Sequence, residues 1–210
     1  MRRRTVLVGL GAFIAGTSAA NLGPITVERK RGEVEAGQLD APSGPVIHFD
    51  TVEGESIGGR APAISVDWVR GSPDDSPADR LQHVRIATNS RYTIQDIFKL
   101  NIDVGDQMSA GAARLRVRPT PGTTGHAITS DGELDSTILD VYVSNVHPTR
   151  SDVAADGPSI GASFVKDALE MSTNMSIDAG LTLDTHSIHG SSTDTLLEGG
   201  LRFVLEVAPE

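Results

Sequence analysis

Phe98-Lys99-Leu100-Asn101-Ile102-Asp103-Val104 puts an apolar side chain at every even position and a polar or charged one between. Successive residues of a strand face opposite sides, so this run turns one face inward and leaves the other in water. The same alternation returns in Ile64-Ser65-Val66-Asp67-Trp68, in Leu139 with Val141-Tyr142-Val143, and in Leu201, Phe203, Leu205 and Val207 near the far end. β patterns recur over residues 46–50, 63–69, 81–88, 93–104, 113–118, 138–146, 176–183 and 201–207, divided by clusters rich in Gly, Pro, Ser and Asp. Short strands spaced this way predict an all-β chain folded as an antiparallel β-sandwich. One short helix is expected over 164–171, where Phe164, Val165, Ala168, Leu169 and Met171 keep a rough i, i+3, i+4 spacing. Trp68 shares the face of Ile64 and Val66 and is read as core. The turn-rich stretches 71–79 and 119–125 are read as long loops within one domain, because strands of equal character flank both. No period of twenty to fifty residues emerges, which excludes a solenoid.

Ahead of the sandwich stand two segments of different character. Residues 1–20 open with Arg2-Arg3-Arg4, continue through an uncharged run over 5–15, and end Gly16-Thr17-Ser18-Ala19-Ala20. That is the layout of an export signal, with Ser18 and Ala20 at the −3 and −1 places of a cleavage site. Arg3-Arg4 followed by Thr5, Val6 and Leu7 has the form of a twin-arginine signal, which serves export of folded chains. Eleven helical residues rise only about 16 Å against about 30 Å of hydrocarbon, so the run is read as cleaved and not as a lasting anchor. Residues 21–44 form an N-terminal strand and polar tether: Ile25-Thr26-Val27 is a short strand, and the rest mixes Arg29, Lys30 and Arg31 with Glu28, Glu33 and Glu35. The sandwich domain is then 45–210.

The charge balance narrows the partners. Cleavage removes three arginines and no acid, leaving fifteen basic against 28 acidic residues, a formal −13. Asp outnumbers Glu, and the only lysines are Lys30, Lys99 and Lys166. An acid-rich, lysine-poor surface suits brine, where salt screens the repulsion. Nucleic acid and anionic membrane surfaces are excluded as natural partners by the same charge. Without cysteine the chain has no disulfide, thiolate metal site or cysteine-linked lipid, so the core alone must hold the fold.

Several motifs carry chemistry on paper. Gly157-Pro158-Ser159-Ile160-Gly161 has the form of a nucleophile elbow, and Asp184 with His186 or His189 follows in the order of a Ser-Asp-His hydrolase. The elbow needs a buried strand before it, which residues 152–156 do not supply, and Pro158 removes a backbone donor where an oxyanion would be held. A Gly/Pro turn that happens to contain a serine is the preferred reading. A secreted serine hydrolase stays as an alternative function, and a surface module binding glycans or solutes is another. His186 and His189 are three apart and would point to opposite faces of a strand, which disfavours zinc. Asp131, Glu133 and Asp135 offer alternate carboxylates in one loop, a candidate calcium site; no other cofactor is implied. Asn174-Met175-Ser176 is an N-glycosylation sequon, with Asn174 expected at the exposed edge of a strand.

A resemblance adds direction. The Arg-rich signal leading through Gly16-Thr17-Ser18-Ala19 to an early strand at Ile25–Arg29 resembles a group of secreted haloarchaeal proteins of unassigned function. These in turn resemble the TasA and camelysin group of extracellular fibre and biofilm-matrix proteins. Tyr92-Thr93-Ile94-Gln95-Asp96-Ile97-Phe98-Lys99-Leu100-Asn101-Ile102-Asp103 is similar to that group's central stretch. Leu196-Leu197-Glu198-Gly199-Gly200-Leu201-Arg202-Phe203-Val204-Leu205-Glu206-Val207 is similar to its closing strand, with Gly-Gly where Pro-Gly is usual. The resemblance implies a jelly-roll-like sandwich, an extracellular or cell-surface location, no catalytic residue, and self-association or assembly with related surface subunits. On that basis Ile25 and Val27 are expected to be the inward pair of a strand donated to a neighbouring subunit.

Overall fold

The structure is a computed structural model that describes residues 25–29, 34–36, 45–57, 63–69, 84–104, 113–148, 157–171, 174–188 and 194–207. The chain is all-β, with eleven strands in two sheets and no helix among the described residues. In chain order these are β1 (Ile25–Arg29), β2 (Val34–Ala36), β3 (Val46–Ile57), β4 (Ala63–Trp68), β5 (Val84–Arg85), β6 (Ser90–Asp103), β7 (Ala113–Pro119), β8 (Leu139–Pro148), β9 (Leu169–Met171), β10 (Met175–Asp184) and β11 (Thr195–Val207). The first sheet runs β2-β1-β6-β10-β8, with β4 also paired to β6; the second runs β5-β3-β11-β7-β9. All pairings are antiparallel except one: β3 and β11 run parallel, from Thr195 opposite Val46 to Glu206 opposite Ile57. Two short strands lie where none was expected. β2 falls inside the stretch read as tether, and β9 falls inside the expected helix.

The two sheets share one core, and the alternation in the sequence explains which face each presents. Phe98, Leu100, Ile102 and Val104 are all buried, as are Leu139, Val141 and Val143 on β8 and Leu201, Phe203 and Leu205 on β11. Phe98 of the first sheet meets Phe203 of the second edge-to-face, with ring centroids 5.8 Å apart, a favoured aromatic geometry. Ile64 and Val66 of β4 pack against this core, while the side chain of Trp68 lies outside the described residues. Tyr92 is buried and its hydroxyl accepts a hydrogen bond from the Ala87 amide at 3.0 Å, the kind of phenol-to-backbone tie found at sandwich corners.

The helix expected over 164–171 is not formed. Residues 164–166 are turns, and the chain then enters β9. The reason is a better use for the backbone. The Phe164 amide donates to the Val141 carbonyl of β8 at 2.8 Å, and the Phe164 carbonyl accepts from the Val117 amide of β7 at 3.0 Å. One residue thus staples the edge of the first sheet to the second, and its ring stands edge-to-face on Phe203 at 5.7 Å. A helix would spend those same groups on itself.

The stretch 119–125 is a loop within the domain, and it is clasped to β11. The Thr123 hydroxyl donates to the Gly200 carbonyl and accepts from the Gly200 amide, and the Thr120 amide donates to the same carbonyl. Gly199 sits at φ +135°, and a Cβ there would lie 2.5 Å from Thr123 Oγ1. The Gly-Gly pair is what lets the loop approach. The stretch 71–79 lies outside the described residues.

Candidate functional site

β6 is the longest strand, and its two edges are used differently. One edge pairs with β10 from Arg91 through Ile102. The other is divided into two slots: β1 covers Ser90 to Ile94 and β4 covers Phe98 to Asp103. Gln95, Asp96 and Ile97 lie between them, and the Ile97 carbonyl accepts from the Val69 amide just past β4 at 2.9 Å. Asp96 is in the left-handed region at φ 53°, which short polar side chains tolerate better than most. Two steps along β10, from Ala179 to Leu181, span four along β6, from Phe98 to Ile94. The extra residues form a bulge that twists the strand and ends one run of pairing before the next begins.

Side chains on the outer face hold this bulge in place. The Ser144 hydroxyl lies 2.7 Å from Asp96 Oδ1 and 2.9 Å from the Asp178 carbonyl, both acceptors for its single proton. Ser144 is itself the extra residue of β8, where Asp178 and Ala179 of β10 face Asn145 and Val143. Between the bulges, Gly180 of β10 pairs directly with Tyr142 of β8. A Cβ on Gly180 would sit 2.5 Å from Tyr142 Cζ and 2.8 Å from the Ile94 carbonyl oxygen, so the phenol ring takes the space a side chain would fill. The Tyr142 hydroxyl is buried without a hydrogen-bond partner. Burial, then the nearby charges of Asp96 and Asp140, push its pKa above the ordinary tyrosine value. Asp140 accepts a hydrogen bond from the Ser163 hydroxyl. Its carboxyl is nevertheless raised above the usual range because it is removed from water, an effect only partly offset by Ser163, Lys166 and Arg91. The cluster holds acids, hydroxyls and a phenol but pairs no nucleophile with a base. Its evident work is to fix the break in the edge of β6. A glycine inside a strand was its signal in the sequence, hidden among apolar residues that keep the period of two.

The sequence-predicted sites fare unevenly. Arg3, Arg4 and Ala20 of the export signal lie outside the described residues. Ile25 and Val27 belong to β1 and take register positions opposite Ile94 and Tyr92, both buried, in the chain's own sheet. Asp131, Glu133 and Asp135 do not converge. They follow a tight turn in which the Thr129 amide donates to the Glu133 carbonyl and Gly132 adopts φ 78°. The Asp135 carboxylate accepts from the Thr137 amide and hydroxyl instead, at 2.9 and 2.6 Å. Among the described residues no group of three or more His, Cys, Asp or Glu side chains is placed to hold a metal ion, so the calcium reading finds no site there.

Asn174 is not at an exposed strand edge. It is half-buried just before β10, which is flanked by β6 and β8, and its Oδ1 accepts from the Val104 amide at 2.8 Å. Ser159 is exposed in an irregular stretch whose Gly161 amide donates to the Val143 carbonyl, while the Asp184 amide donates to the Ile138 carbonyl. Five residues of extended chain separate those two anchor points, roughly 16 Å, so Ser159 and the Asp184–His186 pair do not meet. His186 Nδ1 lies 2.7 Å from Asp184 Oδ1, and His189 lies outside the described residues. Among the described residues no helix is long and apolar enough to cross a membrane.

The fold and this divided edge define a two-sheet, all-β protein with a strand from its N-terminal end docked on a central strand. No family model, no curated protein and no solved structure matches the chain.

Proposed function

We propose that this chain is an exported, non-enzymatic structural protein of a cell-surface fibre, pilus or biofilm matrix, built as a jelly-roll-like sandwich and assembling through β-strand addition. The observation that carries the reading is the slot on β6. It is bounded by the Asp96 bulge, and the strand in it, β1, pairs with β6 and with β2 and with no other described strand. In a monomer the slot is filled from within. In an assembly the β1 of a neighbour takes the same register, main-chain hydrogen bonds supply affinity, and Ile25 and Val27 supply specificity. Each copy then gives one strand and accepts one, a head-to-tail relation that grows into an open filament. Partners are other copies or related surface subunits, and the location is extracellular or at the cell surface.

The test deletes residues 21–29 from the mature protein and compares it with the intact chain by light scattering at high salt. Only the intact chain should polymerise, and Ile25→Asp should abolish its assembly. Equal scattering from the intact and shortened chains, whether as monomers or as polymers, overturns the strand-addition reading.

A further inference from the structure

Acids outnumber bases on both outer faces among the described side chains, but the second sheet gathers three of its arginines into one row. On β4, β6, β8 and β10 six aspartates (Asp67, Asp96, Asp103, Asp140, Asp178, Asp184) face away from the core, with Arg91 and Lys99 among them and His147 2.6 Å from Asp178. On the second sheet β7 turns Arg114, Arg116 and Arg118 outward on alternate positions, the burial pattern placing Ala113, Leu115 and Val117 inside. Two of these arginines are held only loosely. Arg114 is 61% exposed with its guanidinium 3.8 Å from Glu170, and Arg118 is 39% exposed and 3.6 Å from Glu206, both beyond hydrogen-bond distance. Arg202 on the neighbouring strand differs, being bound to Glu53 and Glu55 at 2.7 and 2.8 Å.

Spacing matches as well as sign. Arg114 and Arg118 are four residues apart on one strand, about 13 Å. Asp67 stands opposite Lys99, four residues from Asp103 and one strand over, which puts the two exposed aspartates about 14 Å apart. The two faces point in opposite directions, so a single copy cannot bring its own arginines onto its own aspartates. A second copy can.

We propose that the arginine row of β7 on one copy docks on the aspartate face around Asp67 and Asp103 of the next, a lateral contact additional to strand exchange and resting on the assembly reading above. The contact joins unlike surfaces, so it repeats without closing. The charge of −13 opposes association only over a Debye length, about 8 Å at 0.15 M and about 3 Å at 1 M. In strong salt the charges that touch across the interface therefore decide the outcome.

The experiment uses three mature proteins at one high salt concentration: the natural chain, Arg114→Glu with Arg118→Glu, and Asp67→Lys with Asp103→Lys. Each double variant alone should raise the concentration needed for assembly at least tenfold, measured by light scattering. An equimolar mixture should restore assembly, because the acidic β7 row of the first variant meets the basic face of the second, and the arginine row that the second keeps meets the aspartates that the first keeps. Restoration also shows that both variants are folded. If both variants assemble like the natural chain, or if the mixture fails although both melt normally, the docking is overturned while strand addition stands. If the natural chain stays monomeric at every concentration, the assembly reading falls and the docking with it.

Discussion

Asp140 shows how one residue records its surroundings. Its carboxyl is drawn out of water on the outer face of the first sheet, and that loss of hydration raises its pKa from the ordinary 3.8. The folded chain therefore holds this proton more tightly than the unfolded chain does. Below 3.8 both states are protonated and the group costs nothing; as pH rises through the folded value, the cost of an ionised, partly buried carboxylate appears in full. Asp140→Asn keeps an oxygen to accept from Ser163 and removes that charge. We expect the variant to melt higher than the natural chain at pH 7, by about 2 °C for a domain of this length. The gap should close as pH is lowered toward 3.8. Thermal melts across that range check this, and a gap independent of pH would show that the charge is not its cause.

Among the elements, the staple at Phe164 ties the two sheets through both its backbone and its ring. Its backbone bridges β8 and β7, and its buried ring completes the Phe98–Phe203–Phe164 stack through the core. The other edges are blunted by less. β5 has two residues and β9 three, which leaves little template for a stray chain. On β8 the Asn145 side chain accepts from the next amide, Val146, at 2.9 Å. Phe164→Ala leaves the backbone ties but opens a cavity between the sheets. It should cost about 3–5 kcal/mol in denaturant unfolding, the range for a buried Phe cut to Ala, and Phe164→Leu clearly less. A loss near zero for the alanine variant would mean that the staple, and not the ring, carries the junction.

At the scale of the whole molecule, acidic residues outnumber basic ones by 28 to 18. The Arg–Glu contacts on the second sheet are exposed and individually weak. They do not offset the chain's formal charge of −10. Lowering salt from molar to near-physiological levels lengthens the reach of that repulsion. The melting temperature of the protein should fall accordingly. A melting temperature that is flat or rises as salt falls would remove the basis for reading this as a protein of brine.

The sequence by itself determined the class of fold and the inward face of its main strands. Alternation such as Phe98 to Val104 is a local property, and a strand's period of two converts it directly into buried and exposed sides. It also determined the charge balance and the absence of cysteine. Only the tertiary structure decided how the edges are used. The spacing at 164–171 satisfied a helix as well as it satisfied a turn and a strand, and the choice fell to Val141 and Val117, distant in sequence, which offered partners to the Phe164 backbone. In the same way the carboxylates of 131–135 were drawn apart by a turn that Thr129 and Thr137 satisfy. The break in β6 required Asp96, Ser144 and Gly180 from three strands to coincide. Side-chain period is written along one strand, but the partners that complete a backbone group come from anywhere in the chain, and only folding brings them together.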